Sequence, residues 1–118
     1  MKILVLGALA GKLKDYQIAV KKMNIDLDNV EFIDTYDDRR FNVKRLEYSM
    51  DYSDIIYGPN PHKQVGIGDT YSFLAEMKRH PEKYPRVIET ISNEKLKITI
   101  SGFKKALQST RYYETLTS

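Results

Sequence analysis

Two short apolar runs, each closed by a glycine, constrain this chain more than any other feature. Ile3-Leu4-Val5-Leu6 is continuously apolar and leads into Gly7, and Ile55-Ile56-Tyr57, preceded by Asp54, leads into Gly58. A strand that alternates apolar and polar residues buries one face. An uninterrupted run buries both, which is the condition of a strand inside a parallel sheet covered on its two sides. Val30 to Ile33, broken only by Glu31 and followed by Asp34, is a second strand, and Arg86-Val87-Ile88-Glu89 a fourth.

Between these runs the period changes. From Gly11 onward Leu13, Tyr16, Ile18, Ala19, Val20 and Met23 recur at helical spacing, and Asn24 and Asp26 mark the exit. Phe41, Val43, Leu46 and Met50 suggest a short second helix. Asp69 stands in an N-cap position ahead of Tyr71, Phe73, Leu74 and Met77, a third helix that Pro81 and Pro85 end. Lys97 to Ile100 either joins the sheet or leads into a last helix carrying Phe103, Ala106 and Leu107, with Ser101 as its cap. The order β-α-β-α-β-α-β-α predicts one α/β domain over residues 1–118. Its expected architecture is a small open parallel sheet of about four strands, order 2-1-3-4, with helices on both faces, a Rossmann-like half-domain.

Composition narrows the chemistry. The 118 residues suit a single domain, and with 42% hydrophobic and 30% charged residues they can bury a core and remain soluble. The absence of cysteine excludes disulfides, thiolate metal sites and cysteine nucleophiles, and two histidines without ligand spacing argue against a metal site. The apolar run at the N-terminus is too short for a signal peptide or a membrane span, so a cytoplasmic protein is expected. Nineteen Lys and Arg stand against 16 Asp and Glu, a net charge of +3. These charges are interleaved along the chain, and a nucleic-acid binder usually gathers its basic residues on one face, so nucleic acid is disfavoured as a partner. Among nine tyrosines, Tyr48, Tyr52, Tyr57, Tyr71 and Tyr84 gather around the third strand, while Tyr112-Tyr113 are candidates for a contact within a homo-oligomer.

In open α/β sheets ligands sit beyond the carboxyl ends of the strands, where the winding reverses. That rule selects Gly7 to Lys12, Asp34 to Arg40, and Gly58 to Thr70. Gly7, Gly11 and Lys12 are candidates for holding an anion at the first helix, although the segment is neither a P-loop nor a dinucleotide fingerprint. Asp34 is a candidate for a ribose hydroxyl. Arg40 with Arg39 can clamp a phosphate, unless Asp37 and Asp38 pair with them. The richest stretch is Gly58-Pro59-Asn60-Pro61-His62-Lys63-Gln64-Val65-Gly66-Ile67-Gly68-Asp69. Its candidate ligands are His62, Lys63, Gly66, Gly68, Asp69 and Thr70, with Tyr71 able to stack on a base. The expected ligand is therefore a phosphate-bearing, nucleotide-derived small molecule, with no resident cofactor.

The loop pattern Gly58-Pro59-x-Pro61-His62-Lys63 followed by Gly66-x-Gly68-Asp69, together with Lys97-Ile98-Thr99 leading into Phe103-Lys104-x-Ala106-Leu107, resembles a family of short proteins of bacteria and their phages that has no assigned activity. The resemblance implies a Rossmann-like fold and, by association with phage proteins of this size, sequestration of an immune signalling nucleotide. Two alternatives stand beside non-catalytic binding. One is a small hydrolase or transferase with His62 as acid or base, and the other is a protein-interaction module acting through the tyrosine-rich surface.

Overall fold

Every residue of the first apolar run is buried, Ile3 and Val5 against one layer and Leu4 and Leu6 against the other. The computed structural model of the chain describes residues 1–61 and 72–117. Strands β1 (Lys2–Leu6), β2 (Val30–Ile33), β3 (Tyr52–Tyr57) and β4 (Arg86–Glu89) form a parallel sheet in the order β2-β1-β3-β4, as the sequence predicts. Leu4 stands between Glu31 and Ile55 in the register, and Ile55 is paired in turn with Val87. Helices α1 (Leu13–Lys22) and α3 (Ile100–Gln108) cover one face through Tyr16, Ala19, Val20, Phe103, Ala106 and Leu107. On the opposite face lie α2 (Phe73–Arg79) and a 3₁₀ turn at Val43–Leu46, which bury Phe41, Val43, Leu46, Phe73 and Met77.

Several local expectations are corrected. The segment after Phe41 is one 3₁₀ turn rather than a helix. Asn42 caps it through Lys44 N, and the chain then leaves helical geometry at Glu47 and takes a positive φ of 51° at Tyr48, whose N–H donates to Lys83 O. Met50, expected on the buried side, is 82% exposed. Helix α2 begins at Phe73 and is capped by Ser72, whose hydroxyl accepts from Ala75 N, so Asp69 is not its cap. Thr99 rather than Ser101 caps α3, accepting from Gly102 N at 3.0 Å. In both cases several Ser, Thr or Asp side chains precede the helix, and the apolar pattern alone does not choose among them. The segment between β4 and α3 forms an antiparallel hairpin, β5 (Ile91–Ser92) and β6 (Lys95–Leu96), turned by Asn93 and Glu94 at positive φ. Among the described residues no helix is long and apolar enough to cross a membrane.

A further helix, α4 (Arg111–Thr117), was not anticipated. Its first amides are all accounted for. Asp54, on β3 and fully buried, accepts from Arg111 N at 2.8 Å and Tyr112 N at 3.1 Å. The Thr110 hydroxyl accepts from Tyr113 N, and its carbonyl from Glu114 N. A helix N-terminus presents unpaired N–H groups and a partial positive charge, so an acid beneath it is stabilised as the amides are satisfied. Arg86, beside Asp54 in the sheet, adds contacts to Ser109 O and Glu114. Removing the acceptor by Asp54→Ala is expected to destabilise the protein by about 2–3 kcal/mol in urea denaturation and to speed hydrogen exchange in 111–117. A loss below about 1 kcal/mol would mean that water replaces the carboxylate at those amides.

Candidate functional site

At the carboxyl edge of the sheet the chain leaves β1 through Gly7, at φ 138°, a conformation that L side chains rarely adopt. A Cβ there would stand 2.8 Å from both Gly58 C and Pro59 O. The exits of β1 and β3 are thus in backbone contact, and Gly58 is in turn closed off by the Ile98 side chain. Hydrogen bonds tie these ends together: Gly7 N to Ile33 O, Ala8 N to Pro59 O and Gly58 N to Leu6 O. Asn60, which the sequence reading passed over, joins three strands. Its amide donates to Leu6 O at 3.1 Å and Gly58 O at 2.9 Å, and its oxygen accepts from the buried Thr35 hydroxyl after β2.

The first loop continues in the same way. Ala10 N donates to Ile98 O, and Gly11 N to the Tyr16 hydroxyl at 3.1 Å, which itself donates to Ile98 O. The amides of Gly7, Ala8, Ala10 and Gly11 therefore serve the fold and do not form an anion cradle. A Cβ on Gly11 would meet only the Tyr16 ring, at ordinary contact distance. Lys12 is different. It is exposed and is the N-cap residue of α1, which has no side-chain cap, whereas α2 and α3 are each capped by a hydroxyl. Asp34 is half-buried and forms a turn, its carboxylate accepting from Tyr36 N and its carbonyl from Asp37 N and Asp38 N. Arg39 Nε donates to Tyr36 O, and neither Arg39 nor the exposed Arg40 forms an ion pair with Asp37 or Asp38 among the described residues. The fold thus brings Gly7, Gly11, Lys12 and Asp34 to the one edge from which Asn60 and Pro61 lead onward. His62, Lys63, Gly66, Gly68, Asp69, Thr70 and Tyr71 lie outside the described residues.

The opposite, amino edge carries a second feature, foreshadowed only by the crowding of tyrosines. An open cleft of about 970 Å³ is lined by Tyr48, Tyr52, Tyr84, Tyr112, Met50 and Leu116, together with Met1 and Arg111. Burial and donation to Glu31 hold the Tyr52 hydroxyl protonated, raising its pKa to about 12. Behind the cleft Glu76 accepts from the Tyr84 hydroxyl at 2.7 Å and from Lys83, which also pairs with Glu47 at 3.2 Å. The Tyr84 bond, ahead of Lys83, draws the Glu76 carboxyl below its usual range. His80, the one described histidine, stands 3.8 Å from Glu76, too far for a hydrogen bond. Among the described residues no three acidic or imidazole side chains converge as a metal ion would need. The chain matches no protein-family model, no curated protein and no solved structure.

The two loop glycines separate by thermal unfolding. Gly7→Ala is expected to cost about 2 kcal/mol or more through strain and backbone collision, and Gly11→Ala no more than roughly 0.5 kcal/mol. Equal effects would show that the β1–β3 contact yields easily. Glu76 supplies a pH test. Because its pKa is lowered by folding, its stabilisation is present above the unfolded value of 4.5 and is lost as pH falls through the folded one. The stability gap between wild type and Glu76→Gln in urea should therefore narrow from pH 7 to pH 3, and a gap independent of pH would contradict the Tyr84–Glu76–Lys83 arrangement.

Proposed function

We propose that this protein binds a phosphate-bearing, nucleotide-derived small molecule at the carboxyl edge of its sheet, without turning it over. The observation that carries this reading is the start of α1. Its N-cap is a lysine, it has no side-chain cap, and it follows β1 at the point where the strand order reverses between β1 and β3. Helix amides and a cation at that point favour an anion. The glycine amides before it are engaged within the fold, so phosphate recognition falls to side chains: Lys12, the exposed Arg40, and Lys63 with His62 from the segment that leaves the same edge. Asp34 and Tyr71 would then meet ribose and base. A ligand of this kind suits capture of a signalling nucleotide, which is also what the resemblance of the Gly58–Asp69 segment implies.

Mass spectrometry of small molecules released on denaturing the purified protein is the direct test. A nucleotide released by wild type, with its affinity reduced about tenfold or more in Lys12→Ala and Lys63→Ala by calorimetry, is the expected result. Wild-type affinity in both variants would remove the assignment. An empty protein that gives no heat with nucleoside monophosphates, diphosphates or cyclic dinucleotides would remove the ligand class.

A further inference from the structure

The basic residues that look dispersed in sequence are collected by the fold. Helices α1 and α3 lie far apart in the chain but pack against one another on one face of the sheet, burying Tyr16, Ala19, Val20, Phe103, Ala106 and Leu107 beneath them. Residues 12–22 and 97–108 carry seven lysines, Lys12, Lys14, Lys21, Lys22, Lys97, Lys104 and Lys105, against one acidic residue, Asp15. All seven lysines are exposed. None forms an ion pair among the described residues, whereas Lys78, Lys83 and Arg86 elsewhere are paired with glutamates. The other residues of the chain hold twelve basic and fifteen acidic side chains. The net charge of +3 therefore conceals a positive face on an otherwise acidic molecule. The next acids in the chain are Glu94, in the β5–β6 turn three residues before Lys97, and Asp26 and Asp28, which come after the end of α1, where Asp26 caps the 3₁₀ turn Leu27–Asn29.

We propose that this outer α1–α3 face binds the phosphate backbone of duplex nucleic acid. Lys14, Lys21 and Lys105 stand opposite the buried sides of their helices, with Lys22 and Lys104 flanking them. From Lys14 to Lys22 the helix rises about 12 Å, and two packed helices lie about 8–10 Å apart. A duplex carries one charge per about 1.7 Å, so about seven phosphates of its two strands span that length, enough to meet the six lysines other than Lys12. An anionic membrane fits less well. Stable interfacial binding inserts an apolar helix face, and here those faces are buried in the core, leaving only Leu13 and Ile18 exposed on α1. Single strands fit less well too, because the aromatic residues of α1 and α3, Tyr16 and Phe103, are fully buried and offer no ring for base stacking. The contacts are to phosphate and are expected to be independent of sequence.

The face shares only Lys12 with the proposed ligand site, so Lys12 is left intact in the test. Binding of fluorescent DNA and RNA duplexes of about 20 bp is followed by anisotropy between about 50 and 200 mM KCl, alongside sedimentation with phosphatidylserine vesicles. For wild type the logarithm of the association constant should fall with that of salt with a slope of about −5 to −6. The triple variant Lys14→Gln, Lys21→Gln, Lys105→Gln, folded by circular dichroism, should bind more than tenfold more weakly at about 50 mM KCl and lose about 2.7 from the slope. The variant Lys2→Gln, Lys44→Gln, Lys95→Gln has the same net charge and should behave as wild type. Binding of both duplexes, or of one in preference, supports the face and names the source of the phosphates. No duplex binding at about 50 mM KCl, equal losses in the two triples, or binding to vesicles alone would overturn the proposal.

Discussion

The backbone of β1 touches that of β3 where both leave the sheet, and this contact organises the carboxyl edge. Gly7 at φ 138° packs on Gly58 and Pro59 with no room for a Cβ, and the amides and carbonyls on either side interlock. Asn60 can then reach back to Leu6 O and sideways to Thr35, so the strand ends are held together by one amide side chain. Ile98 closes the third side by sitting on Gly58 and accepting through its carbonyl from Ala10 and Tyr16. A contact this close makes the loop rigid and leaves its glycine amides occupied. The phosphate recognition proposed for this edge therefore falls to cationic side chains and the start of α1.

The amino edge is organised by an acid in place of glycines. Asp54 is buried and forms no ion pair among the described residues, a costly arrangement unless several hydrogen bonds meet the charge. The first amides of α4 do so, and the same bonds bring the C-terminal helix onto the sheet. The cleft of Tyr48, Tyr52, Tyr84, Tyr112, Met50 and Leu116 is a consequence: α4 supplies one wall, and the turn at Tyr48, held by Lys83 O, supplies part of another. Both edges are thus built from long-range polar contacts set on an apolar sheet.

Much of the framework was legible from residue pattern alone. Strand positions, strand order and the two-sided core follow from runs such as Ile3–Leu6 and from right-handed crossovers, and the structure has all of them. Helix starts were less legible, because Ser72 and Thr99 compete with Asp69 and Ser101 on equal local terms and the choice depends on where the helix must dock. The helical spacing of Phe41, Val43 and Leu46 correctly marked buried residues, yet one 3₁₀ turn satisfies the same burial. At the candidate site the sequence singled out Gly7, Lys12 and Asp34, all of which reach one edge. It missed Asn60 and Thr35, whose importance comes from contacts between distant segments: they meet each other across 25 residues, and Asn60 reaches Leu6 O across 54.

What the sequence determined by itself is what short-range physics can encode: an apolar run that must be buried on both faces, and a glycine where the chain must turn with a positive φ. What only the tertiary structure decided are the relations between distant segments. Asp54 finds the amides of a helix 57 residues away, which no local pattern announces. Lysines interleaved with acids along the chain become one positive face because α1 and α3 are laid side by side on the sheet. Sequence order averages charge over neighbours in the chain, whereas an approaching partner meets the charge of neighbours in space.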